Sequence, residues 1–329
     1  MCIWKTIFFS RELFKWDCLR KTFSMYKKFL LFFGISFFIS AYAGACPICG
    51  CGSGNLYMGL LPDFKYHFIG FRYHYSQYNT QLISDPSQYS TNYYNNMELW
   101  GGVRISRKIQ LLAFVPYYVN KQVDDDGTTH THGLGDITVM GQYMVFQSAR
   151  HMGKRKTLDQ QLWIGGGVKL PTGAFNADML DSNTTVADIN AQIGTGSVDF
   201  LLNSMYTLSI RNFGVSLSAN YKINTLNGQQ YKFGNKFTSN LIGFYHTSLG
   251  LNIVTPNIGL GYENVAINTL RNKNIEFTGS RMMTGIVGVE MDFGKIGVGI
   301  NGQLPIAQNF AEGQTKMKFN GMMHITYQL

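Results

Sequence analysis

From residue 64 to the C-terminus, runs of alternating apolar and polar or small residues are separated by turn-like segments. Ile69, Phe71, Tyr73 and Tyr75 alternate with Gly70, Arg72, His74 and Ser76. Leu99, Gly101, Val103 and Ile105 alternate with Glu98, Trp100, Gly102 and Arg104. Ile137, Val139, Gly141, Tyr143 and Val145 alternate with Asp136, Thr138 and Gln142. The cleanest run sets Val215, Leu217, Ala219, Tyr221 and Ile223 against Ser216, Ser218, Asn220, Lys222 and Asn224. A period of two is that of a β-strand, whose successive side chains point to opposite faces, so each run predicts a strand with one apolar and one polar face.

Twelve segments carry the pattern, at 64–78, 95–106, 109–121, 134–147, 160–170, 195–210, 213–225, 232–248, 250–262, 276–292, 295–305 and 315–329. A soluble sandwich of twelve strands would carry charge on its outward faces. Here one face of nearly every strand is Val, Ile, Leu, Phe or Tyr. A transmembrane antiparallel up-and-down β-barrel, with the apolar face in lipid and the polar face in the lumen, accounts for this. The gaps are long at 79–94, 122–133, 171–194, 263–275 and 306–314, and short at 107–108, 211–212, 249 and 293–294. Two depart from strict alternation: 148–159 is long where a short turn is expected, and 226–231 is only moderate. Long loops at one end and short turns at the other are the asymmetry of outer-membrane barrels. The last segment alternates Met317, Phe319, Gly321, Met323, Ile325, Tyr327 and Leu329 with Lys318, Asn320, Met322, His324, Thr326 and Gln328. It resembles the terminal strand read by barrel-insertion machinery, although Leu is a less typical final residue than Phe.

Composition fits this architecture. Of 329 residues only 14% are charged, while Gly (36), Phe (24) and Tyr (19) are plentiful and Pro (7) is scarce. That is too apolar for a disordered chain. The longest apolar stretch, residues 29–39, is shorter than the ~20 residues of a spanning helix. It lies instead between Lys27–Lys28 and Ala41-Tyr42-Ala43, the layout of a secretory signal with a small-x-small cleavage site. Met25, immediately before this unit, is then the expected start, with residues 1–24 an upstream extension. The expected organisation is therefore a leader at 1–43, a Cys/Gly-rich segment at 44–63 and a barrel at 64–329. Residues 1–43 carry five of the chain's nine net positive charges. With the leader set aside no basic stripe remains, which excludes a nucleic-acid partner.

Cys46, Cys49 and Cys51 lie just after that leader, in Cys46-Pro47-Ile48-Cys49-Gly50-Cys51. Three readings stay open: a disulfide with one spare thiol, lipidation of Cys46, or a metal held by thiolates at C-x-x-C spacing. No other cofactor is expected. His130 and His132, after Asp124-Asp125-Asp126, are a weaker metal candidate beside the reading as a solvated acidic loop. No nucleophile elbow, H-E-x-x-H or phosphate loop is present, so no enzyme is expected. His246 and Ser248 share a strand face, which is common by chance.

Three short motifs fall at strand–loop junctions: His132-Gly133-Leu134-Gly135-Asp136, Val168-Lys169-Leu170-Pro171-Thr172-Gly173, and Gly194-Thr195-Gly196-Ser197 with Asp199 two residues on. In order and spacing they resemble the family described as transporters of the MetA pathway of phenol degradation, outer-membrane barrels distantly similar to long-chain fatty-acid transporters. The resemblance implies passive uptake of small hydrophobic or aromatic solutes, with membrane lipids and the insertion machinery as the other partners. Independently of it, Asp136, Lys169 and Asp199 fall on polar faces of consecutive strands. They form either a selectivity element near the outer mouth or a neutralising pair set that fixes barrel shape. Arg72, Glu98, Arg104 and Lys222 are further candidate lumen charges. Inward-facing Trp100, Phe114, Met140, Met144, Trp163 and Met205 either line an apolar path or fill the barrel. Twelve strands enclose a narrower lumen than the 16–18 of open porins.

Overall fold

A computed structural model describes residues 67–81, 89–125, 127–151, 157–176 and 192–329. Its strands are β1 (Phe68–Gln81), β2 (Tyr89–Ser106), β3 (Ile109–Asp124), β4 (Gly127–Leu134), β5 (Thr138–His151) and β6 (Thr157–Lys169). There follow β7 (Asp199–Ile210), β8 (Phe213–Ile223), β9 (Tyr231–Lys232), β10 (Lys236–Tyr245), β11 (Thr247–Leu249) and β12 (Asn252–Val265). The last are β13 (Thr269–Leu270), β14 (Lys273–Asn274), β15 (Ser280–Asp292), β16 (Ile296–Phe310) and β17 (Thr315–Gln328).

Twelve of them, β1, β2, β3, β5, β6, β7, β8, β10, β12, β15, β16 and β17, pair in that order as neighbours, all antiparallel. The ring closes where β1 meets β17, from Phe68↔Gln328 to Thr80↔Thr315. Closure leaves none of these twelve strands as a sheet edge, as lipid requires of a spanning β-structure. The alternation then sorts side chains. Ile69, Phe71, Leu99, Val103, Leu217, Ile258 and Val287 face outward and exposed, whereas Arg72, Trp100, Ser216 and Asn220 are buried inside. Outward aromatics gather near the strand ends, with Tyr143, Phe213, Tyr245, Phe293 and Tyr327 at the short-turn end and Tyr117, Tyr221 and Tyr262 toward the other. These are the positions of interfacial girdles.

The strands run further than the apolar pattern. Residues 122–133, expected as a loop, form a hairpin of β3 and β4, from Tyr117↔Leu134 to Asp124↔Gly127. β1 reaches Gln81, β16 reaches Phe310, and the anomalous gap 148–159 shrinks to 152–156. Ladder hydrogen bonds do not depend on side-chain polarity, so Thr-, Asn- and Gln-rich stretches continue a strand beyond the lipid. Two local breaks also differ from the alternation. In β17 the register slips between Gln77↔Phe319 and Tyr78↔Met317. Lys318 is the extra residue of this bulge, so Met317 turns inward and is buried while Lys318 is exposed. At 195–198 the chain is loop rather than strand, because Gly196 takes a φ of 66° and Thr195 and Ser197 turn their hydroxyls to other partners.

The long-loop end carries its own small core. β9, β13 and β14 form a three-stranded sheet, and Tyr231 and Phe233 are buried against Phe175, Leu270 and Ile275. Asn268 ties it together, donating to Tyr231 Oη at 2.7 Å and accepting from Gly234 N–H at 2.7 Å.

Outward and inward positions should respond differently to charge. Val287→Lys, on the lipid face of β15, is expected to destabilise the folded barrel by ~2–4 kcal/mol if it lies near the bilayer midplane. Gln303→Lys, inward on the neighbouring strand, should cost far less. Urea unfolding in lipid vesicles reads both, and equal losses would contradict the assigned faces.

Candidate functional site

Among the inward-facing polar side chains, two buried charge groups and a row of amides stand out. The first group forms where the wall is interrupted. Between β4 and β5, residues 135–137 step out of the ladder, anchored by Gly135 N–H to Pro116 O and by Ile137 N–H to the Thr172 hydroxyl, both at 2.8 Å. This frees Asp136 to turn inward. Its Oδ2 accepts from Lys169 Nζ at 2.5 Å and from the backbone N–H and hydroxyl of Thr195 at 2.9 Å each. Its Oδ1 accepts from Gly173 N–H at 2.9 Å. Lys169, at the end of β6, also pairs with Asp199 Oδ2 at 2.7 Å and donates to the Thr195 hydroxyl. Asp199 Oδ1 takes the Ser197 hydroxyl at 2.8 Å and Thr225 N–H at 3.0 Å. The Lys169 side chain is 1% exposed and both carboxylates 0%. One cation thus joins two strands, the interrupted wall and the loops after β6 and before β7. The three motifs noted in the sequence meet in this knot.

Arg72 and Glu98 form the second group, directly opposite one another on β1 and β2. Arg72 Nε donates to Glu98 Oε1 at 2.8 Å. The guanidinium lies 4.5 Å from the Trp100 ring centre and 5.2 Å from that of Phe114, so ring faces stabilise the cation as well as the carboxylate. Trp100 and Phe114 stack at 6.2 Å, and Phe68 meets Trp100 edge-on at 4.7 Å. Leu112 and Met140 complete this cluster, while Met144, Trp163 and Met205 form another. These side chains lie along the wall, because inward glycines make room for them. A Cβ at Gly102 would sit 2.3 Å from Phe68, and one at Gly214 would sit 2.1 Å from Phe244.

Other residues singled out in the sequence sit elsewhere. Arg104 is at the short-turn end, partly exposed, donating to the carbonyls of Ser106 (3.2 Å) and Arg107 (2.7 Å). Lys222 is buried opposite Lys236, which pairs with Glu263 at 2.9 Å. His130 and His132 are exposed on β4, and among the described residues no three His, Cys, Asp or Glu side chains converge to hold a metal. Cys46, Cys49 and Cys51 lie outside the described residues. His246 Nδ1 is 2.8 Å from the Thr255 hydroxyl.

Sequence reasoning did not find the amide row. Gln110 donates to Gln142, Gln142 to Asn203 at 2.6 Å, and Asn203 to Asn220 at 2.6 Å. The row passes over Gly165, where a Cβ would meet Gln142 Cγ at 2.8 Å. Alternation marks all four as inward; only the register reveals them as neighbours. Nor did it find His324 Nε2 beside Glu290 Oε2 at 3.2 Å. That pair borders a cavity of about 560 Å³ at the short-turn end, lined also by Thr207, Ser209, Phe244 and His246.

A closed barrel with an apolar belt outside and paired charges and amides inside is an outer-membrane β-barrel. The chain belongs to the family described as "Putative MetA-pathway of phenol degradation", which matches residues 87–293. Among solved structures it is similar to the COG4313 outer membrane channel from Pseudomonas putida F1, with 14% identity, a TM-score of 0.58, and coverage of 81% of this chain and 98% of that one. The β domain of the Bordetella autotransporter BrkA is more distant, with 12% identity, a TM-score of 0.45 and coverage of 80% and 100%. So is the CymD monoaromatic hydrocarbon channel, with 8% identity, a TM-score of 0.35 and coverage of 80% and 88%. No curated protein matches the chain.

The buried knot sets a stability test. Lys169→Met leaves two carboxylates buried without their cation and should cost ~3–5 kcal/mol. Adding Asp136→Asn and Asp199→Asn should recover much of the loss. Urea midpoints of the three proteins decide it, and an unchanged midpoint for Lys169→Met would mean that the pairs contribute nothing.

Proposed function

We propose that the protein is a narrow channel that passes small neutral solutes, aromatic ones among them, across the outer membrane without energy input. The observation that carries this reading is the inward face. A barrel of twelve strands is too narrow for a wide aqueous pore, and its charges are spent on one another within the wall. What faces the remaining space is mainly amide, hydroxyl and apolar carbon. The cavity at the short-turn end has the volume of a small-molecule site. Membership of a family described by phenol degradation supports an aromatic solute.

In this reading the Lys169 knot is a positioning element. It fixes the loops at residues 170–176 and 192–198 against the long-loop end of the wall and so sets the entrance. Arg72 and Glu98 neutralise each other and keep the lumen from favouring ions of either sign. Trp100, Phe114 and Met140 supply apolar wall beside them.

Cells expressing the protein should take up labelled phenol at low external concentration several-fold faster than cells lacking it, and the purified protein should give small single-channel current steps in planar bilayers. Ser209→Trp, which projects into the cavity, should reduce both; Leu208→Trp, on the outward face, should reduce neither. Uptake equal in both cell types, together with no current steps, would overturn the proposal.

A further inference from the structure

At the long-loop end, three cations stand on the outside of the wall, on neighbouring strands. Arg281 is near the start of β15, and Lys316 and Lys318 are near the start of β17, with β16 between them; all three are exposed. The register makes them one patch. Arg281 lies opposite Asn309, the next residue, Phe310, lies opposite Thr315, and Lys316 lies opposite Asn79 of β1. Two strand spacings separate Arg281 from Lys316, ~10 Å, and Lys318 follows two residues along, ~7 Å. The inward cations Arg72, Lys169 and Lys236 have carboxylate partners, whereas among the described residues none of these three forms an ion pair. The carboxylates closest to them in sequence, Glu276 and Glu312, are exposed in connecting segments, off the strands.

The fold itself delivers one of the charges. Strict alternation would turn Lys318 inward, and the bulge in β17 turns it out. β16 is irregular at the same level, where Thr284↔Pro305 is followed by Met283↔Ala307. Both breaks sit where the apolar belt ends. Met283, Leu304, Ile306 and Phe319 are exposed on the same three strands, on the membrane side of the cations. Tyr262, one of the outward aromatics at this end, lies opposite Met283, so Arg281 stands one outward step beyond that girdle. A charge on the outside of a barrel costs least at the interface, where headgroups replace hydrocarbon.

We propose that this patch binds the phosphate groups of a phosphorylated, multiply acylated glycolipid of the outer leaflet, of the lipid A class. Arg281 takes one phosphate through its forked N–H donors, and Lys316 and Lys318 take the second as compact charges. Asn309, exposed between them, meets sugar hydroxyls, while Met283, Leu304, Ile306 and Phe319 meet acyl chains. Two phosphates fixed on one sugar unit engage both sides of the patch at once, which a phospholipid with a single phosphate does not. The site lies on the outside of the wall and does not depend on what passes through the lumen.

Native mass spectrometry of the detergent-purified protein, titrated with diphosphorylated lipid A or with phosphatidylglycerol, tests it. The glycolipid should bind at least about tenfold more tightly, since its second phosphate acts intramolecularly, and the monophosphorylated form should lose most of that advantage. A chain carrying Arg281→Gln, Lys316→Gln and Lys318→Gln should lose the preference. Lys295→Gln, which removes an exposed cation at the short-turn end, should keep it. Should the triple variant fail to fold, Lys318→Gln alone should weaken glycolipid binding several-fold. Equal binding of the glycolipid and phosphatidylglycerol, or undiminished preference in the substituted chains, would overturn the site.

Discussion

Every backbone N–H and C=O that crosses lipid must find its partner within the protein, and most of this fold follows from that requirement. Closure answers it for the strands, and it reaches the last residue: Leu329 N–H donates to His67 O at 2.8 Å, beyond the last named pair of the β1–β17 ladder. An interruption in the wall, at residues 135–137, is permitted because Pro116 O and the Thr172 hydroxyl take up the freed amides. The break is also what turns Asp136 toward Lys169. A demand of the backbone thus creates the place where loops and wall are joined.

Inside, the constraint is room. Twelve strands leave little width, so large inward side chains lie along the wall over glycines. Phe68 lies over Gly102, Phe244 over Gly214, and the Glu290–His324 pair over Gly299, where a Cβ would sit 2.0 Å from the carboxylate. The glycines that enrich the composition are therefore partly lumen residues, placed so that neighbours need not project into the passage. A wall that hides its bulk and pairs its charges presents mostly neutral polar groups to whatever passes.

The sequence made the strand count, the closed barrel and the two faces legible, because a period of two survives in runs such as 215–224 whatever the neighbours are. It also placed Asp136, Lys169 and Asp199 on inward faces near strand ends. Register was not legible. The amide row and the Glu290–His324 pair depend on which residues lie opposite one another across separate strands, which a single run of alternation does not encode. Strand ends were misjudged for a related reason: apolar alternation stops where lipid stops, but hydrogen bonding does not. The bulge at Lys318 was invisible because an extra residue inverts faces without changing the residue types.

The row of Gln110, Gln142, Asn203 and Asn220 has a direction. Each amide presents its nitrogen to the oxygen of the next, from β3 across β5, β6 and β7 to β8. Turning one amide over would set nitrogen against nitrogen on one side and oxygen against oxygen on the other, so all four must keep or reverse their sense together. The row therefore behaves as a single unit in space. An acidic replacement at Gln142, which can accept but not donate, would oblige Asn203 and Asn220 to reverse their sense together, so a change at one position is felt along the rest of the row.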